Sequence, residues 1–129
     1  MPNILSHVDL RVRDRRRATE FYDALLNVLG AVKSEGENFT TWEIPPPDAG
    51  PEYEGDEWFG ITEDAGMTPG PVRVAFSAPS RGTIDAIAVF LPSIGATHIE
   101  MDGGVYGERY YAVFFEDPDG NKLEVCHIG

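Results

Sequence analysis

A chain of 129 residues and 14.2 kDa has room for one compact domain, or for two minimal modules sharing a core. Its 42% hydrophobic and 11% aromatic content is globular, which excludes a disordered tail, a collagen-like repeat and a coiled coil. The 22 acidic residues outnumber the 10 basic ones for a net charge of −12, and such a surface repels phosphate backbones, so no nucleic-acid partner is expected.

No apolar run approaches the roughly 18 to 20 residues of a spanning helix, so no membrane partner is expected. The opening MPNILSHVDL lacks the basic-then-apolar layout of a secretory signal, and a cytoplasmic protein is the expectation. A single cysteine, Cys126, excludes an internal disulfide and a cysteine-rich zinc knuckle. Charge is unevenly spread. Five of the ten basic residues (Arg11, Arg13, Arg15, Arg16, Arg17) fall within one short stretch, whereas Ser34 to Val72 holds ten acids and no base. That acidic stretch reads either as a solvated surface or as an attractor for a cationic ligand.

In chain order, Ile4 to Arg13 alternates as a strand, with Val8, Leu10 and Val12 on one side and His7, Asp9, Arg11 and Arg13 on the other. Asp14 offers an N-cap. Behind it, Ala18, Phe21, Tyr22, Leu25, Leu26 and Leu29 recur at helical spacing until Gly30. Short strands are predicted at Ala31–Ser34, Phe39–Ile44 and Glu57–Thr62, the last two separated by the loop PPPDAGPEYEG. Val72 to Ala78 alternates again. Ser80 caps a second helical stripe through Ile84, Ile87, Ala88, Leu91 and Ile94, which Pro92 should kink or shorten before Gly95. Strands follow at Thr97–Met101, Arg109–Phe115 and Lys122–His127, with an Asp-Pro-Asp-Gly turn from Asp117 between the last two.

Each half is therefore strand, helix, then three strands. Laying His7-Val-Asp-Leu on Arg73-Val-Ala-Phe brings the Gly-Ala pairs at Gly30 and Gly95 within one residue of register. Such a repeat implies a duplicated module.

Four stretches carry a family resemblance: ISHVDLRVRD from Ile4, ATEFYDALLNVLGA from Ala18, VRVAFSAPSR from Val72 and YYAVFFEDPDGNKLEVCH from Tyr110. With them the chain resembles the vicinal oxygen chelate superfamily of glyoxalase I, bleomycin- and fosfomycin-resistance proteins and extradiol dioxygenases, and within it a small glyoxalase-like subgroup. The resemblance implies an α+β fold of two βαβββ modules, residues 1–66 and 70–129 of a single glyoxalase-like domain, forming an incomplete barrel around a cleft. It also implies a homodimer.

In metal-dependent members one residue on each module's first strand and one on each last strand hold the cation. The resemblance places His7 and Glu124 among these ligands. The matching first-strand position of module two is Arg73 where the family has His, and the last-strand position of module one falls within Trp58–Glu63, where only Glu63 could coordinate. A guanidinium has no lone pair and repels a divalent ion, and beside Glu124 it offers a bidentate partner instead. The metal set is thus incomplete: His7 and Glu124 without a full complement.

Aromatic residues Trp58, Phe59 and Tyr111 lie on elements that line the cleft in this architecture and, with Arg73, are the expected substrate-binding residues; side chains of this kind are equally typical of core. His127 should face away from Glu124, and Cys126 shares its face with no residue in sequence that would activate it. The loop from Pro45 to Asp56, with Glu52, Glu54 and Asp56 and followed by Glu57, is expected to form a lid over a pocket walled by Trp58 and Phe59.

These features support a small-molecule-binding protein with a degenerate metal site and no resident cofactor. The alternative is a lyase, isomerase or dioxygenase of the glyoxalase I type, lactoylglutathione-lyase-like, using nickel, zinc, manganese or iron on His7 and Glu124. If the chain is a metal-free enzyme, Glu124 and Arg73 are the catalytic candidates, the guanidinium facing a developing oxyanion and the carboxylate moving a proton.

Overall fold

The structure, a computed structural model, describes every residue except 1–3, Glu54, Asp56, Gly103 and Val105. The chain divides into two compact units, Met1–Met67 and Thr68–Gly129.

The first unit is built from β1 (His7–Val12), α1 (Arg15–Val28), β2 (Val32–Glu35), β3 (Phe39–Glu43) and β4 (Trp58–Glu63). Helix α1 starts where the sequence offers a cap: Asp14 is extended and its carboxylate accepts the Arg17 N–H at 3.0 Å. A second carboxylate helps, since Glu63 Oε1 accepts the Arg15 N–H at 3.0 Å. The helix ends at Leu29, and Gly30 takes the left-handed φ of 88° that lets the chain turn back. Four strands form one open sheet in the order β1-β4-β3-β2, with β1 parallel to β4 and the other pairs antiparallel.

The helix covers one face of this sheet. Phe21, Tyr22, Leu25 and Leu26 are buried with Val12, Trp42, Phe59 and Ile61. The rings of Tyr22 and Phe59 lie 5.0 Å apart, and those of Trp42 and Phe59 6.2 Å. Polar atoms on this side are paired: Thr19 with Thr40 through their hydroxyls, and the Trp42 indole N–H with Asp23.

The second unit repeats the plan with β5 (Arg73–Ser77), α2 (Arg81–Phe90), β6 (Thr97–Met101), β7 (Tyr110–Glu116) and β8 (Lys122–Ile128). Its sheet order is β5-β8-β7-β6, with β5 parallel to β8. Neither four-stranded sheet closes on itself. Ser80 caps α2, its hydroxyl accepting the Thr83 N–H at 3.2 Å. Pro92 acts as its ring requires: the α-helix stops at Phe90 and a single 3-10 turn, Leu91–Ile94, runs to Gly95 at a φ of 97°. The turn between β7 and β8 is held by the buried Asp117, whose carboxylate accepts the N–H groups of Asp119 and Asn121 and the Asn121 side-chain amide, all at 2.9 Å.

Strand ends lie within one residue of the sequence expectations, except that the first strand is shorter, beginning at His7. The loop after β3 carries successive turns closed by Ala49 N–H to Pro46 O and Tyr53 N–H to Gly50 O. Two acids of the expected lid, Glu54 and Asp56, lie outside the described residues.

Candidate functional site

Alternation in β7 and β8 sorts the side chains of the second unit. Val113, Phe115, Leu123 and Val125 are buried on the side of α2. Tyr111 shares that side, because its hydroxyl donates to Asp85 on α2, while the Arg81 guanidinium lies 5.1 Å from its ring centroid. His127 is also there, its Nδ1–H donating to the Ala78 carbonyl at 2.9 Å and so facing away from Glu124 as expected. The opposite face carries Ala112 and Phe114 from β7, and Lys122, Glu124 and Cys126 from β8. The β5 residues Arg73, Ala75 and Ser77 stand level with those three in turn.

Glu124 is the unusual member. It is only 6% exposed, and its Oε2 atom has no hydrogen-bond partner. Its register neighbours are Ala75 on one side and Phe114 on the other, neither of which can donate to it from a side chain. Burial pushes the Glu124 carboxyl above its ordinary range; Arg73 pulls it down and Asp102 pushes it further up. Asp102 is itself buried, at the end of β6, where its N–H donates to the Ala112 carbonyl at 2.9 Å. The Cys126 thiol is likewise raised, by burial first and by Glu124 second, so it is a poor thiolate.

The expected bidentate pairing of Arg73 with Glu124 does not form. Arg73 Nη1 donates instead to the Leu123 carbonyl at 2.9 Å, and the guanidinium lies 5.0 Å from the Phe114 ring centroid. The reason lies in register: Arg73 stands opposite Lys122, two residues short of Glu124, where the Leu123 carbonyl and the Phe114 ring take its guanidinium.

The first unit places its candidates differently. His7 stacks on Trp58, with ring centroids 4.4 Å apart and planes 6° from parallel, at the first register pair of β1 and β4. Trp58 therefore lies on the face away from α1, with His7. Phe59, its neighbour in sequence, points to the opposite face and belongs to the aromatic cluster beneath α1. Of the four expected lining residues, Trp58 and Arg73 occupy faces away from the helices, whereas Phe59 and Tyr111 face them.

Register also corrects Glu63. Glu124 stands opposite the third residue of β5, and the residue opposite the third residue of β1 is Gly60. Glu63 lies level with Val12, and its carboxylate caps α1. Asp9, across from Gly60, accepts from the Thr62 hydroxyl at 2.8 Å.

Within the second unit, the side chains around Glu124 offer a divalent ion few lone-pair donors. Among the described residues no three His, Cys, Asp or Glu side chains are grouped to hold one. Around Glu124, the first-strand position carries a guanidinium without a lone pair, and the neighbouring thiol is held protonated.

Two α+β sheets of this order, with parallel first and last strands, define a glyoxalase-type fold. The comparisons agree. A family model for the Glyoxalase/Bleomycin resistance protein/Dioxygenase superfamily matches residues 4–125, and the chain belongs to that superfamily. A glyoxalase/bleomycin resistance protein from Albidiferax ferrireducens T118 is similar in structure, with 29% identity, a TM-score of 0.78 and coverage of 98% of this chain and 100% of that one. The fosfomycin resistance protein FosX from Mesorhizobium loti shares the fold at 20% identity and a TM-score of 0.67, covering 100% of this chain and 95% of that one. So does a FosX variant from Listeria monocytogenes complexed with Mn(II) and 1S,2S-dihydroxypropylphosphonic acid, at 23% identity and a TM-score of 0.67, over 100% of this chain and 92% of that one. No curated protein matches the chain. Among the described residues, no helix is long and apolar enough to cross a membrane.

Proposed function

We propose that the chain is a glyoxalase/bleomycin-resistance-like protein that binds a small organic molecule on the face of the second unit carrying Arg73, Glu124 and Phe114. In this reading Arg73 has taken the place of a metal-binding histidine. One observation carries it: the buried Glu124 Oε2 has no partner, which is costly for a carboxylate unless something supplied from solution satisfies it. The donor chemistry around it argues against a metal in that role, and an aromatic ring with a few polar groups suits an organic ligand.

The working form is a homodimer. Supporting this, each sheet is open and ends in exposed edge strands, which proteins of this size commonly cover by pairing, most often with twofold symmetry.

The test combines a thermal-shift panel of small metabolites and drugs with titration of nickel, zinc, manganese and iron, using protein purified without chelators or a histidine tag. The proposal expects at least one organic ligand whose effect is reduced in Arg73→Ala and Glu124→Gln, and no stoichiometric metal. Stoichiometric metal binding by the unaltered protein would replace it with the metal-dependent enzyme using His7 and Glu124.

A further inference from the structure

We propose that the ligand carries a protonated primary amine, which seats on the Glu124 carboxylate in the second unit. This rests on the small-molecule reading above and specifies the chemistry of that site.

Charge selects the ligand first. Glu124 and Asp102, 6% and 8% exposed, are two buried carboxyl groups on the same face of one sheet, on either side of β7. An orphaned carboxylate oxygen accepts hydrogen bonds and nothing else, so its occupant must donate. A neutral hydroxyl would satisfy the oxygen but add nothing to the partial compensation Arg73 gives the charge, whereas an ammonium does both.

Arg73 offsets part of the charge but does not meet the orphaned oxygen. Its Nη1 is committed to the Leu123 carbonyl and its plane to the Phe114 ring. A divalent ion would compensate the charge, but it needs several lone-pair donors, which the described residues do not group. An ammonium needs fewer fixed partners, having three donors of its own to distribute.

Shape agrees with charge. Ala75, directly across from Glu124, and Ser77, two residues further along, are small and exposed, so the carboxylate is flanked by short side chains on the β5 side. On the β7 side stands the half-buried Phe114 ring. The fitting ligand is an amine on a short arm beside a flat apolar body.

The experiment uses the full chain and three probes that share a benzyl group, benzylammonium, benzyl alcohol and phenylacetate, titrated calorimetrically. Benzylammonium should bind about tenfold or more tightly than benzyl alcohol, since hydrogen bonds to a charged group are worth more than neutral ones. Glu124→Gln, close in size and uncharged, should weaken benzylammonium about tenfold and leave benzyl alcohol little changed; Asp102→Asn should weaken it less. Equal binding of amine and alcohol overturns the proposal, as does benzylammonium binding that Glu124→Gln leaves unaltered, which would mark attraction to the acidic surface at large. Binding of phenylacetate alone, lost in Arg73→Ala, overturns the amine while supporting the small-molecule reading. If no probe binds, the amine is overturned, and the wider panel decides the reading beneath it. Should Glu124→Gln fail to fold, the amine–alcohol comparison on the unaltered protein still decides.

Discussion

Gly60 and Glu124 hold the same place in the two sheets: each lies on the last strand of its unit, level with the third residue of the first strand, Asp9 for Gly60 and Ala75 for Glu124. Each of these two pairs thus carries one carboxylate, on the first strand in the first unit and on the last strand in the second. In the first unit the acid is on the edge strand, exposed and bonded to Thr62. In the second it is on an interior strand and buried, with an oxygen left over. Only the second arrangement stores unmet hydrogen-bonding capacity.

Glu124→Gln should therefore stabilise the ligand-free protein at neutral pH, by about 1 kcal/mol, because it removes a buried charge. The pH dependence has a definite sign. The folded protein holds the Glu124 proton more tightly than the unfolded chain, whose carboxyl keeps an ordinary value near 4.5. Stability is then lost as pH rises from that value through the raised folded value, and recovered on acidification. Urea midpoints across this window should fall less steeply in the variant. A steeper fall would show that Glu124 is better solvated than its burial implies.

Tyr111 gives a second titration, on the far face. Its hydrogen bond to Asp85, with further help from desolvation and the Asp85 charge, raises the phenol above its ordinary 10.0 despite Arg81. Ultraviolet titration should show Tyr111 as a late-ionising component that Asp85→Asn removes. Because the shift is upward, stability declines as alkaline pH passes from the ordinary value to the raised one, with no effect at neutral pH.

Helix α1 has two acid caps, at Asp14 and Glu63. Asp14→Ala should cost about 1 kcal/mol in urea unfolding. Glu63→Ala should cost somewhat less and should leave ligand binding unchanged, since this carboxylate serves the helix. A loss of ligand binding with full stability would return Glu63 to the site.

Ile61 is completely buried beneath α1, and Val89 on α2 is 83% exposed. Truncating Ile61 to Ala should cost about 3 kcal/mol through lost burial and the cavity left behind. The same truncation at Val89 should change stability by less than about 0.5 kcal/mol. Comparable losses would mean that Val89 is covered in solution, as by a second copy of the chain.

Much of this architecture is written in local pattern. Asp14 and Ser80 mark their helix starts, Pro92 marks the break between α-helix and 3-10 turn, and the Asp-Pro-Asp-Gly run marks the β7–β8 turn, because each acts within a few residues of itself. The same holds for the facing of Glu124 and Cys126, which follows from alternation along one strand. What alternation cannot give is which residue of a distant strand stands alongside. Gly60 rather than Glu63 matches Glu124 through pairing between strands some fifty residues apart, which no local signal encodes. The faces of Phe59 and Tyr111 were within reach, since Trp58 and Phe59 are strand neighbours and cannot share a face. The partner of Arg73 was not, because a long flexible side chain chooses between a carboxylate, a carbonyl and a ring by distances only the folded sheet sets.

The strand orders have a consequence for how the chain assembles. In each unit the last strand made is inserted between the first strand and the third, so β1 has no neighbour until β4 exists, and β5 none until β8. Both sheets must wait for their longest loop closure, an entropic cost that precedes the reward of pairing. All ladder partners of the first unit nevertheless lie between His7 and Glu63, so its sheet can close while the second half is still being synthesised. Emergence from the ribosome would then separate two otherwise similar sets of strands in time, at the stage when β1 and β5 could each compete for the other's partner.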